Sequence, residues 1–183
     1  MSAKIDGCGK RRTFLASYYP IIGIDKRNYG SCQVFITPTK EEVDALVVEG
    51  VEIIAVDATD RERPDGQSLE RFFKNIRKSY PQQIFMADCA TYEDAIRAEH
   101  LGFDCIGSTL AGYTEASKEV SLPAFSLLER MVAEQSLPVI AEGGISTPEE
   151  LQRIMALGVH AAVVGSAITR LLEITKKFTK ILE

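Results

Sequence analysis

The chain has 183 residues, 45% of them hydrophobic, and a formal net charge of -5. That length suits one domain with a sizeable buried core. The acidic balance argues against nucleic-acid or membrane-surface partners, which want a basic face, and no apolar run approaches the ~20 residues of a bilayer span.

Residues 1–20 offer no strand–helix–strand pattern. They carry Gly7, Gly9 and a basic cluster at Lys10–Arg12, and an irregular segment is expected there. The stretch from Lys10 to Tyr19 begins basic, as signal peptides do, but its apolar part is too short and too broken by Ser17 and the tyrosines.

From residue 21 to 183 the pattern alternates strand with helix, which implies a parallel sheet. The predicted strands are Ile21–Asp25, Glu52–Val56, Ile84–Ala87, Phe103–Gly107, Val139–Ala141 and Ala161–Val164. Three helices announce their starts. Thr39 with Glu42, Thr91 with Asp94, and Thr147 with Glu150 each place a hydroxyl at the N-cap and a carboxylate three residues later. Pro148 adds a residue suited to the first helical position, and Gly50, Gly102 and Gly158 suit the ends. Apolar stripes such as Leu69, Phe72, Phe73 and Ile76 give each helix one core-facing side.

The fold class expected is α/β: a TIM (β/α) barrel, incomplete, with about six of the usual eight strand–helix units. An open parallel sheet leaves an edge at Ile21–Asp25 that invites self-association, a homodimer being its simplest form. Four cysteines, Cys8, Cys32, Cys89 and Cys105, show no CxxC spacing and read as reduced thiols of a cytoplasmic protein.

The strand ends carry chemistry. The runs close on or beside Lys26, Asp57, Asp88, Ser108, Glu142 and Gly165, and barrel active sites are built from residues in such positions. Gly143-Gly144 and Gly165-Ser166 follow the last two strands, where barrels often hold a phosphate, and Arg170 can add a charged contact. A glycine pair alone is weak evidence, since such turns also close strands for steric reasons. Lys26 shares its side with Ile22 and Ile24 under period-two alternation. A surface lysine paired with Asp25 is one reading of it. The other is an amine desolvated over an apolar layer, with a lowered pKa and general-base capacity. Glu142, Asp57 and Asp88 occupy equivalent strand ends, where carboxylates can relay protons or hold hydroxyls. His100 and His160 fall away from that mouth and read as structural; two histidines so placed offer no metal cluster.

Seven stretches carry a specific likeness: IIGIDKRNY (21–29), FITPTKEEVDAL (35–46), EIIAVDATDRERPDG (52–66), FMADCAT (85–91), LGFDCIGSTLAGYT (101–114), VIAEGGISTPEE (139–150) and VVGSAITRLLEITKKF (163–178). On these the chain resembles the N-acetylmannosamine-6-phosphate 2-epimerase family of sialic acid and amino-sugar breakdown, from about residue 20 to the C-terminus. The resemblance implies a barrel isomerase that interconverts N-acetylmannosamine 6-phosphate and N-acetylglucosamine 6-phosphate by proton removal and return at C2. It implies Lys26 as the acid/base, with Glu142 beside it. Asp88 would bind sugar hydroxyls with Asp57 in support, and Arg170, Gly144, Gly165 and Ser166 would hold the phosphate. It implies no cofactor and no metal.

The family normally begins with two further strands, one bearing a substrate-binding glutamine and the other an arginine. Neither has a counterpart here; Ser31-Cys32-Gln33 copies letters of the first but follows the lysine strand. Asp25 stands where the family usually has an aliphatic residue, and alternation points it, unpaired, at the helix layer. The alternative expectation is therefore a truncated, inactive phosphosugar-binding remnant. Metal-dependent pentose epimerases want strand-end histidines, and Schiff-base aldolases of this type want a lysine on a later strand; neither pattern is present.

Overall fold

The computed structural model describes residues 2–4, 19–30 and 32–182. Cys8, Gly7, Gly9 and the cluster Lys10–Arg12 lie outside the described residues. The strands run parallel in chain order as one sheet: β1 (Ser2–Lys4), β2 (Ile22–Ile24), β3 (Ile53–Asp57), β4 (Ile84–Asp88), β5 (Cys105–Gly107), β6 (Val139–Glu142) and β7 (Ala161–Val163). Between them come α1 (Lys40–Glu49), α2 (Leu69–Ser79), α3 (Tyr92–Leu101), α4 (Phe125–Glu134) and α5 (Pro148–Ala156). One turn, α6 (Ser166–Thr169), and α7 (Leu171–Thr179) follow β7.

The helix starts are local decisions. Thr39, Thr91 and Thr147 each form a complete capping box with the acid three residues on, and Gly50 and Gly102 close α1 and α3 in the left-handed region. Each such cap contributes about 1 kcal/mol. Ser68 caps α2 through the Arg71 N–H, a fourth start of the same kind.

Period-two alternation then sorts the strand residues. Ile54 and Val56, Phe85 and Ala87, Val139 and Ala141 join helix residues in the larger core. Ala55, Met86, Cys105 and Ile140 face the other way and form a smaller cluster with Ile22, Ile24 and Val163. Parallel strands covered on both faces read as continuous apolar runs, and here the two faces keep separate clusters. Under the helices, Phe73 stacks on Phe103 at 3.8 Å between ring centroids and meets Phe85 edge-on. Phe103 belongs to the helix end rather than to the expected strand: its N–H donates to Ala98 O, so β5 starts at Cys105.

Two expectations are corrected. Ser2–Lys4 is not irregular; it forms β1 and pairs parallel with Ile22–Ile24, so β2 is not the sheet edge. A strand of three residues is too short to show periodicity, and its ladder bonds come from a partner twenty positions away in sequence. Asp25 is not left unpaired, because Arg27 Nε lies 3.4 Å from Oδ2 and keeps the carboxylate at the rim. No ladder joins β7 to β1 among the described residues. Among them, no helix is long and apolar enough to cross a membrane.

Candidate active site

The C-terminal ends of the strands open on a cavity of about 540 Å³. Lys26, Glu142, Gly144, Gly165, Ser166 and Arg170 all line it. A second, narrow space of about 30 Å³ is lined by Ile22, Met86 and Val163 with Asp88, Thr109, Lys26 and Glu142, the last three shared with the larger cavity. Of the eight residues singled out from the sequence, six line the larger cavity and Asp88 lines the narrow space that shares Lys26 and Glu142 with it.

Lys26 follows β2 in a tight return. Arg27 N donates to Phe35 O, Thr37 N donates to Asp25 O, and Lys26 bridges Ile36 in antiparallel fashion. The amine lies 5.5 Å from the Phe35 ring centroid. Lys26 is exposed at the mouth of the cavity. Ile22 and Ile24, on its side of the strand as alternation requires, line the same narrow space.

Glu142 ends β6 and is pinned by its backbone. Ser108 Oγ accepts from Glu142 N at 3.0 Å and donates to Glu142 O at 2.8 Å, tying the ends of β5 and β6 together. Burial pushes the Glu142 carboxyl above the usual carboxylate range, against the opposing pull of the Thr109 hydroxyl and the Lys26 charge. Asp88, at the end of β4, is fully buried and raised well above that range, first by desolvation and next by Glu142. Thr109 Oγ1 lies 2.7 Å from Asp88 Oδ1 and 3.4 Å from Glu142 Oε2.

Asp57 is the exception. It ends β3 on the same face, yet it lines neither space. Its Oδ1 accepts from Thr59 N and Thr59 Oγ1, its Oδ2 is ion-paired with Arg61, and its carbonyl accepts from Arg63. Every oxygen of the residue is engaged by the loop that follows β3, so Asp57 anchors that loop beside the cavity. Arg63 itself is buried over the Phe72 ring, and burial lowers its guanidinium pKa to about 10.

The far end of the cavity suits an anion. Gly143 and Gly144 take φ of +110° and +72°, and a Cβ on Gly144 would collide with Leu122. Glycine lets the chain turn there with its backbone open to the cavity. Gly165 precedes α6, and Arg170 follows that single turn. One turn supplies no long-helix dipole, so any anion would be held by N–H groups and the Arg170 charge. His100 and His160 are exposed and line neither space. Among the described residues no group of His, Cys, Asp or Glu is placed to hold a metal ion. Cys32, Cys89 and Cys105 are free thiols.

Thr109 is the residue that sequence reasoning missed. Its signal was present, since Ser108-Thr109 directly follows a predicted strand. A hydroxyl pair there is too common to single out without its neighbours.

The family model described as "Putative N-acetylmannosamine-6-phosphate epimerase" matches residues 10–183. A curated protein of Clostridioides difficile (strain 630), described as "Putative N-acetylmannosamine-6-phosphate 2-epimerase", is 48% identical over 164 residues, covering 90% of this chain and 73% of its own length. A protein of Borreliella afzelii (strain PKo) with the same description is 51% identical, over 88% of this chain and 71% of its own. The solved N-acetylmannosamine-6-phosphate 2-epimerase from Clostridium perfringens superposes with a TM-score of 0.81 at 48% identity, over 90% of this chain and 71% of that one. A thiamine phosphate pyrophosphorylase from Pyrococcus furiosus, 19% identical with a TM-score of 0.55, shares the fold alone.

Proposed function

The chain belongs to the N-acetylmannosamine-6-phosphate 2-epimerase family, and we propose that it interconverts N-acetylmannosamine 6-phosphate and N-acetylglucosamine 6-phosphate by exchanging the proton at C2. One observation carries this reading: an amine and a carboxyl, Lys26 and Glu142, share a cavity with a glycine-lined anion end. The phosphate binds at Gly144, Gly165-Ser166 and Arg170, which places the sugar's opposite end toward Lys26 and Glu142. The open-chain aldehyde makes the C2 proton acidic enough to remove. Lys26 takes that proton and returns it, and Glu142, its carboxyl pushed above the usual carboxylate range by burial, lies beside it as the second proton carrier. Asp88 lines the narrow space shared with both and meets the sugar hydroxyls there.

Turnover in deuterium oxide tests the reading. Deuterium should enter C2 of both sugars, and Lys26→Ala should reduce exchange by about 10²–10⁴-fold, the usual contribution of a proton-transfer group, with phosphate affinity retained. Glu142→Gln should slow turnover with a smaller effect on binding. Binding of the phosphosugar by the wild type without any exchange at C2 would refute the reading and leave a binding remnant. Exchange that persists in Lys26→Ala would move the base to Glu142 or Asp88.

A further inference from the structure

Thr109 is a polar side chain of the cavity that the chemistry above leaves unused. Its hydroxyl stands between two carboxyls that come from different strands, 2.7 Å from Asp88 Oδ1 and 3.4 Å from Glu142 Oε2. All three side chains line the same narrow space. The threonine is held there by its own segment, since Leu110 N donates to Cys89 O and Ser108 locks β5 to β6. A hydroxyl has one hydrogen to donate and lone pairs to accept with. Two carboxylates this close to one hydroxyl, in a buried space, are poorly accommodated if both are ionised.

We propose that Thr109 is a positioning residue that couples Asp88 to Glu142 and makes Asp88 the internal proton reservoir of the site. The proposal rests on the reading of Glu142 as a proton carrier. With Asp88 in its acid form, its O–H donates to Thr109 Oγ1, and the Thr109 O–H donates to the Glu142 carboxylate. When Glu142 has given up a proton, the Thr109 hydrogen passes to Oε2 and the Asp88 hydrogen passes to Oγ1. One O–H bond forms on Glu142 and one breaks on Asp88; the threonine ends as it began. The net change is one proton moved from Asp88 to Glu142, with total charge unchanged.

The other groups facing the pair are compatible with this. Lys26, from the return after β2, favours the ionised form of both carboxyls. Asp57, at the end of β3, repels Asp88, but its charge is compensated by Arg61. The thiols Cys89, beside Asp88, and Cys105, on β5, are held neutral by burial, the second with its pKa pushed up to about 12. Tyr113 and Arg170 face Glu142 across the wider cavity, with Glu173 and Lys177 reaching it from α7.

The test compares Thr109→Val, which keeps the shape and removes the hydroxyl, with Thr109→Ser, which keeps the hydroxyl. Two quantities are read: the pH profile of kcat for C2 exchange, and an infrared pH titration of the carboxylic-acid C=O band in the resting protein. The wild type should retain a protonated carboxyl above the usual carboxylate range, and Asp88→Asn should remove that band. Thr109→Val should move both the band's titration and the kcat profile by about half a pH unit or more. It should also lower kcat about tenfold with KM nearly unchanged. Thr109→Ser should restore both to near wild type. Superimposable titrations for wild type and Thr109→Val, or a Thr109→Ser no better than Thr109→Val, would overturn the coupling. A wild type without C2 exchange overturns the functional reading instead, and the infrared titration then decides the coupling alone.

Discussion

Arg61 Nη2 lies 2.6 Å from Asp57 Oδ2, an ion pair on a strand-end carboxylate that lines neither space of the site. The second oxygen is taken by Thr59, so the Asp57-Thr59-Arg61 unit shapes the loop after β3. Asp57 is fully buried, and removing either partner leaves an uncompensated charge. Asp57→Ala and Arg61→Ala should each lower unfolding free energy by about 3 kcal/mol in urea melts. The double variant should lose less than the sum, because both singles break one interaction. Activity per folded molecule should change little. A variant of normal stability and no activity would return Asp57 to the substrate.

Asp88 should make stability depend on pH. Burial holds its carboxyl well above the usual range, so the folded protein binds that proton more tightly than the unfolded chain. Its stabilising contribution is full below the unfolded value of about 3.9 and is lost as pH rises through the raised folded value. Glu142 is shifted in the same direction and adds to the decline. Denaturant melts of the wild type should therefore show stability falling with pH across this window. Asp88→Asn, which cannot ionise, should give a shallower slope. Parallel curves for the two proteins would show that Asp88 is charged in the fold.

Arg170 should separate phosphate binding from sugar binding. Inorganic phosphate should raise the thermal midpoint of the wild type, by about 2.7 kcal/mol of stability at a hundred times its Kd. Arg170→Ala should abolish most of that response and raise KM for the phosphosugar about tenfold or more, the loss of one charge-assisted contact. Unphosphorylated N-acetylmannosamine should stabilise neither protein. An unchanged phosphate response in Arg170→Ala would place the anion elsewhere.

The glycine turns should not be equivalent. Gly144 has φ +72°, and an added Cβ would strike Leu122, whereas Gly165 has φ -100° with nothing within 4 Å. Gly144→Ala should cost about 1–3 kcal/mol of stability through backbone strain and the collision. Gly165→Ala should be within about 0.5 kcal/mol of wild type. Thermal melts of the pair decide it, and equal losses would mean that the Leu122 contact relaxes freely.

What could be read from the sequence was set by short-range rules. The hydroxyl–acid pairs at Thr39, Thr91 and Thr147 lie three residues apart and cap three helices on their own. Alternation along β4 and β6 sends Asp88 and Glu142 to the inner face, and the strand–helix order brings their ends to one mouth. Tertiary structure decided the rest, because the deciding partners are distant in sequence or lie in irregular loops. Asp57 obeys the alternation, and it is Thr59, Arg61 and Arg63 of the following loop that engage its oxygens. Asp25 finds Arg27, two residues on. Thr109 gains its role from Asp88 and Glu142, 21 and 33 positions away, and no periodicity links them. Periodicity assigns a side chain to a face, but only the packed loops determine which neighbours it meets there.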